Sequence, residues 1–108
     1  MLSKDKKVNT ELFNKILQKG AKKYFKYFYV VYLKDSNNLE SHIVCVAPKK
    51  QFKLAVQRNS IKRKCYLSLE SFYSQIPSSL NLLIFLKKEI KEIDSSELKK
   101  ELENILKI

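Results

Sequence analysis

The chain has 108 residues, of which 44% are hydrophobic, so it is long enough for one hydrophobic core and too short for two. This hydrophobic content also argues against wholesale disorder. No apolar run approaches the ~18 residues of a membrane-spanning helix. The opening residues, MLSKDKK, lack the hydrophobic stretch of a secretory signal, so we expect a cytoplasmic protein with no membrane partner.

The formal net charge of +11 is distributed unevenly along the chain. Residues 1–64 contain 16 Lys or Arg against four acids, a balance of +12, whereas residues 65–108 contain six against seven, a balance of −1. Residues 49–64, KKQFKLAVQRNSIKRK, hold seven basic side chains and no acid. Because so much like charge repels itself, the segment favours a polyanionic partner such as RNA.

The first predicted element is a short amphipathic helix over residues 10–19, preceded by a flexible segment at 1–8. Asn9 or Thr10 can cap its start, and Gly20 stands where a helix ends. Its apolar stripe consists of Leu12, Phe13, Ile16 and Leu17.

Three segments have the composition of strands. Residues 24–34, YFKYFYVVYLK, are aromatic and β-branched, and residues 35–38, DSNN, predict a turn. Residues 41–47, SHIVCVA, then form the second strand of a hairpin, and their apolar character predicts a central position. LNLLIFL at 80–86 is too short for a helix and predicts a third strand.

From about residue 52 to residue 73 the apolar period becomes helical. The stripe predicted to be buried contains Leu54, Ile61, Cys65, Leu69 and Phe72. A neighbouring face presents Asn59, Lys62, Arg63 and Tyr66, with Arg58 at the edge of the apolar stripe. The helix therefore packs through one side and offers hydrogen-bond donors on another.

The third predicted helix is the C-terminal one, which Asp94, Ser95 or Ser96 can cap. Its inward stripe is Leu98, Leu102, Ile105 and Leu106. The order of elements predicts a single α+β domain, 1–108, built as a two-layer α-β sandwich with one small mixed sheet covered by helices on one side. If 41–47 and 80–86 are parallel, the long helix with the basic motif is their crossover.

The residues offer no catalytic or metal-binding constellation. His42 has no Cys or His at ligand spacing, which favours a structural histidine. Cys45 and Cys65 lie among apolar neighbours, as reduced core thiols do. The single glycine rules out a glycine-rich phosphate loop, and no paired carboxylates occupy the basic half.

The order of elements, the pair Lys49–Lys50 and the motif AVQRNSIKR at 55–63 resemble the protein subunit of bacterial ribonuclease P, over roughly residues 8–106. That family has an RNRxKR-type motif on a helix, matched here by Arg58, Asn59, Lys62 and Arg63. Ser60 and Tyr66 stand where arginines are usual, and Leu17 replaces an aromatic residue of the first helix.

The resemblance implies a non-catalytic protein that binds the catalytic RNA subunit and precursor tRNA. The RNA would remove the 5′ leader with Mg²⁺ that is bound mainly by the RNA itself. The implied RNA-binding residues are Lys49, Lys50, Lys53, Arg58, Asn59, Lys62, Arg63, Lys64 and Tyr66. The implied leader-binding cleft, between the first helix and the sheet, involves Phe13, Leu17, Phe28, Val30 and Tyr32.

Other interpretations of the same residues stay open. The basic face could simply be solvated, and any single ring of the aromatic strand could be a core residue. A ribosomal or other structural RNA-binding protein with no role in tRNA processing would have the same charge pattern. A helix-turn-helix DNA-binding protein is disfavoured, because a helix between two strands lacks the partner helix of that motif.

Overall fold

The computed structural model describes residues 10–36 and 41–107. The flexible segment predicted at 1–8, the alternative cap Asn9 and the second half of the turn predicted at 35–38 lie outside these residues. The elements in chain order are α1 (Thr10–Lys19), β1 (Ala21–Tyr24), β2 (Phe28–Lys34), β3 (His42–Val46), α2 (Ala55–Glu70), β4 (Leu80–Leu86) and α3 (Ser95–Glu103). Short 3₁₀ segments span Tyr73–Gln75, Lys88–Glu92 and Asn104–Lys107.

Strand β4 lies inside a four-stranded mixed sheet with the order β1-β2-β4-β3. It pairs antiparallel with β2 and parallel with β3. Its sequence LNLLIFL is apolar on both faces because helices cover both faces of the sheet. A parallel pair needs a crossover connection, and α2 provides it. The predicted α+β class, mixed sheet and crossover helix are therefore confirmed.

The predicted hairpin between 24–34 and 41–47 is wrong, because β2 and β3 are not neighbours. The hairpin instead joins β1 to β2 across residues 25–27, and the Phe25 amide donates to the Phe28 carbonyl at 2.9 Å. Strand β3 is an edge strand rather than a central one. Ile43 and Cys45 are buried on its face toward α2, whereas Val44 and Val46 on the other face are half-buried. Composition alone cannot distinguish this arrangement from a central place in the sheet.

Helices lie on both faces of the sheet, not on one as predicted. On one face α2 and α3 enclose the larger core, in which Phe28, Val30 and Ile84 are fully buried. On the other face α1 packs through Ile16 onto Val31 of β2 and Leu83 of β4, and these three side chains are fully buried. The apolar stripe of α1 packs against this face of the sheet.

Gly20 allows the end of α1 to approach β2 closely. Its amide donates to the Ile16 carbonyl at 2.7 Å, which ends the helix. A Cβ atom at this position would lie 2.8 Å from the Tyr32 carbonyl oxygen and 2.9 Å from a Val31 methyl group. A glycine is thus needed here for the close packing of α1 against β2.

Helix α2 is fixed to β3 through its second half. Cys65, Leu69 and Phe72 are buried as predicted, but Leu54 is 61% exposed because the helix begins at Ala55 and not near 52. Tyr66, predicted to face RNA, points into the core. Its hydroxyl oxygen accepts a hydrogen bond from the Cys45 amide at 3.0 Å.

Burial controls the chemistry of this contact between α2 and β3. The Cys45 thiol donates to Cys65 Sγ at 2.7 Å, and burial raises the pKa of Cys45 well above its ordinary value. Burial also raises the pKa of Tyr66 to about 12. Both groups are therefore protonated at neutral pH, as core groups rather than reactive ones.

Tyr66→Phe should destabilise the protein by about 1–3 kcal/mol, because the Cys45 amide would lose its partner inside the core. The matched control is Tyr24→Phe, at a ring that is 66% exposed, and it should change little. Urea unfolding measures the free energy of unfolding of both variants, and equal effects would contradict a buried hydrogen bond between Tyr66 and Cys45.

The stability of the protein should also depend on pH through Tyr66, whose pKa is raised from 10.0 to about 12. The stabilising contribution of this group is complete below pH 10 and is lost as the pH rises through 12.

Candidate nucleic-acid interface

A cleft opens between α1, β3 and the first half of α2. Its floor is mostly apolar, and its α2 side carries two cations and an amide. The lining residues are Phe13, Val44, Cys45, Val46, Ala47, Arg58, Asn59 and Lys62. We call this the basic cleft. It brings Phe13 of the predicted leader site together with three residues of the predicted basic motif.

Arg58 has a structural role in addition to its charge. Its Nη1 donates to the carbonyls of Phe52 at 3.0 Å and Lys53 at 3.1 Å, which ties the loop before α2 to the helix. A guanidinium has further N–H donors on Nε and Nη2 that can serve a phosphate. Arg58 can therefore hold the loop and contact a ligand at the same time.

The other predicted residues of the basic motif lie along α2 at helical spacing. Asn59 and Arg63 are exposed and Lys62 is half-buried. Lys49, Lys50 and Lys53 are exposed in the loop that precedes the helix. The first turn of α2 contains no acid, so nothing there neutralises the motif.

Two members of the predicted RNA-binding set lie elsewhere. Tyr66 is in the core, as described above. Lys64 is half-buried on the far side of α2, where its Nζ donates to the Ile93 carbonyl at 2.7 Å. Successive helical residues are 100° apart, so Lys64 lies about 200° around α2 from Lys62. Neither residue lines the basic cleft.

The three residues of β2 in the predicted leader-binding cleft lie on the face of the sheet opposite α1, and not between α1 and the sheet as predicted. Phe28 and Val30 are fully buried in the core under α2 and α3, and Tyr32 packs against that same core. The residues that face α1 are Tyr29, Val31 and Leu33. Side chains alternate along a strand, so an error of one position in the phase moves every residue to the other face.

An aromatic row crosses the sheet beside α1. Tyr24 of β1 contacts Tyr29 of β2 with ring centroids 5.5 Å apart, and Tyr29 stacks on Phe85 of β4 at 4.8 Å with an interplanar angle of 6°. The strand register places Val46 of β3 next in this row. The aromatic row therefore runs into the basic cleft.

The predicted leader-binding set does not contain Tyr29, Val44, Val46 or Phe85, which belong to the basic cleft or to the aromatic row. On α1, Leu17 is 39% exposed, and Phe13 packs in the same small cluster as Tyr29 and Phe85. Period-two alternation was the only signal in the sequence that could have identified the missed residues. It identifies two sets of residues and does not say which set faces α1.

No group of three or more His, Cys, Asp or Glu residues within 10–36 and 41–107 is arranged to hold a metal ion. His42 is half-buried, and its Nδ1 shares a hydrogen bond with Asn81 Oδ1 at 2.9 Å. Every helix in this part of the chain is too short or too polar to cross a bilayer.

A profile of the Ribonuclease P family matches residues 2–108. The chain belongs to the Ribonuclease P family. A curated relative, the ribonuclease P protein component of Psychrobacter sp. (strain PRwf-1), is 28% identical over 78 residues. That match covers 72% of this chain and 59% of the relative, so less than two thirds of the relative's length is represented.

Solved structures of ribonuclease P proteins have the same fold. A Staphylococcus aureus RNase P protein mutant with defective mRNA degradation activity is 22% identical and superposes with a TM-score of 0.83, covering 96% of this chain and 87% of that one. The Thermotoga maritima RNase P protein in complex with 1-(4-fluorophenyl)-2-thiourea is 24% identical with a TM-score of 0.75, covering 88% and 91%.

Arg58→Ala and Arg63→Ala should differ in their effect on stability. Arg58→Ala removes both bonds to the loop carbonyls and should cost about 1 kcal/mol, whereas exposed Arg63→Ala should stay within about 0.5 kcal/mol of wild type. Urea unfolding of the two variants, each lacking one positive charge, provides the comparison. Equal stabilities would show that Arg58 does not hold the loop.

Proposed function

We propose that this chain is the protein subunit of a ribonuclease P holoenzyme. It binds the catalytic RNA and the 5′ leader of precursor tRNA, and it assists removal of the leader. The most direct support is that the aromatic row and the basic cleft adjoin each other in this member of the Ribonuclease P family. An aromatic row suited to unpaired bases leads into a cleft edged by Arg58, Asn59 and Lys62.

The side chains of the basic cleft suit phosphate binding rather than hydrolysis. Its lining contains no carboxylate and no histidine, and its thiol, Cys45, has a raised pKa. These side chains do not fit Mg²⁺, which prefers oxygen ligands. In this proposal the RNA subunit holds the catalytic magnesium ions. By neutralising nearby phosphates, the protein lowers the repulsion that otherwise demands a high magnesium concentration.

The aromatic row is suited to a single strand. From Tyr24 to Val46 it crosses three strand spacings, about 14 Å in total. Aromatic rings on a sheet stack two or three unpaired bases in other RNA-binding domains, at about 1–3 kcal/mol for each base. A leader held there adds binding energy to the precursor that mature tRNA cannot obtain.

The competing function is that of a structural RNA-binding protein with no role in tRNA processing. Its basic surface would be the same, but it would not need the aromatic row to continue into the basic cleft. Family membership also favours the proposal.

Added protein should restore cleavage of precursor tRNA by a bacterial catalytic RNA at magnesium concentrations where the RNA alone is inactive. The measurement is the cleavage rate across a magnesium titration, with and without the protein. A lack of rescue combined with tight binding to ribosomal RNA would favour the structural function instead.

Tyr29→Leu should lower holoenzyme affinity for precursor tRNA about fivefold to thirtyfold, since it removes one stacking ring of the aromatic row. Affinity for mature tRNA should not change. The matched control is Tyr32→Leu, a tyrosine of the same strand on the opposite face, which should leave both affinities near wild type. A larger precursor defect for Tyr32→Leu would place the leader on the other face.

A further inference from the structure

The two cysteines of the chain meet where α2 packs on β3. Cys45 belongs to β3 and Cys65 to the second half of α2, and they are 20 residues apart along the chain. Both are buried as free thiols, and their sulfur atoms lie 2.7 Å apart. Since the sequence contains no third cysteine, each thiol has only one possible partner within the molecule. Neither thiol takes part in the proposed function.

The fold holds these two thiols in a position from which a disulfide can form. A disulfide requires side chains that point at each other from backbones a short distance apart. The hydrogen bond from the Cys45 thiol to Cys65 Sγ shows that these side chains do so. The neighbouring bond from the Cys45 amide to the Tyr66 hydroxyl, at 3.0 Å, fixes the two backbones beside the pair. A bridge therefore needs no rearrangement of α2 or β3.

The two thiols differ in how an oxidant can reach them. Cys45 is 3% exposed and lines the basic cleft, whereas Cys65 is fully buried behind it. Burial and the contact with Cys65 raise the pKa of Cys45, and the ammonium group of Lys62 in the same cleft lowers it. Oxidation consequently requires a local opening of the contact, after which Lys62 stabilises the Cys45 thiolate.

A bridge at this position would enclose the segment that carries the basic motif. Residues 46–64 lie between the two cysteines and contain every member of the predicted RNA-binding set except Tyr66. A crosslink stabilises a protein mainly by restricting its unfolded chain. It would thus hold both ends of this segment on the sheet.

We propose that Cys45 and Cys65 form a disulfide when hydrogen peroxide oxidises the protein, and that this bridge holds residues 46–64 on the sheet without closing the basic cleft. The Cys45 thiolate attacks one peroxide oxygen, the O–O bond breaks, and a sulfenic acid and one water molecule result. The Cys65 sulfur then attacks the Cys45 sulfur, so that the S–S bond forms, the S–O bond breaks and a second water molecule leaves. Two thiols lose two hydrogen atoms, and the peroxide is reduced to two water molecules.

The first test is a tryptic map of the monomeric wild-type protein after treatment with hydrogen peroxide. The fragments that contain Cys45 and Cys65 should appear as one linked species, which a thiol reductant separates. Cys65→Ala is the control and cannot give this species. Recovery of the two wild-type fragments unlinked, with free thiols or with added oxygen atoms, would overturn the inference.

The second test is thermal unfolding followed by circular dichroism. The oxidised wild-type protein should melt about 10 °C or more above the reduced protein, because the bridge closes a loop of 20 residues. Peroxide should leave the melting temperature of Cys65→Ala unchanged. A lower melting temperature for the oxidised wild-type protein would mean that the bridge strains the fold, which contradicts the geometry of the pair.

The third test compares oxidised and reduced protein in the rescue of precursor-tRNA cleavage at low magnesium concentration. The two forms should agree within about threefold, because the bridge acts mainly on the unfolded chain. Loss of rescue on oxidation alone would show that the bridge closes the basic cleft and would overturn the inference. If the reduced protein itself gives no rescue, the proposed function fails, while the tryptic map and the melting temperatures still decide whether the bridge forms.

Discussion

The parallel pairing of β3 with β4 is the constraint on which the rest of the structure depends. Two parallel neighbours cannot be joined by a tight turn, so the chain must cross the sheet between them. Helix α2 makes this crossing. The contacts of Cys65 and Tyr66 with Cys45 then set its position on β3. The orientation of the basic motif relative to the sheet is thus a consequence of strand pairing.

Within residues 10–36 and 41–107, α1 covers only part of the other face of the sheet, and the candidate site lies beside it. Helix α1 has ten residues and is therefore about 15 Å long. It covers Val31 and Leu83 in the middle of the sheet and leaves Tyr24 exposed and Tyr29 and Phe85 half-buried. Exposed apolar surface of this kind is a common feature of binding sites.

The sequence predicts the type and bounds of an element correctly where its hydrophobic pattern fits only one kind of secondary structure. The bounds of α1 and of the largely apolar β4 and the inward stripe of α3 follow from the sequence, because their period and length leave no alternative. The sequence does not determine which alternate residues of β2 face α1. Both Phe28 and Tyr29 are aromatic, and the strand is apolar on both faces, so alternation gives two equally good assignments. The pairing order of the strands depends on contacts distant in sequence, which is why local patterns predict a hairpin of β2 with β3 that the structure does not contain.

The positions that depart from the family motif have different physical meanings. Tyr66 lies in the core and accepts a hydrogen bond from the Cys45 amide of β3. It therefore helps to pack α2 on the sheet and does not add positive charge to the helix. Ser60 is exposed on α2, where an arginine would add a cation. Counterion release depends on how many phosphates are neutralised and not on which segment supplies the cation. Exposed lysines outside the motif, such as Lys50 and Lys53 in the loop before α2, add positive charge beside the helix at positions other than Ser60.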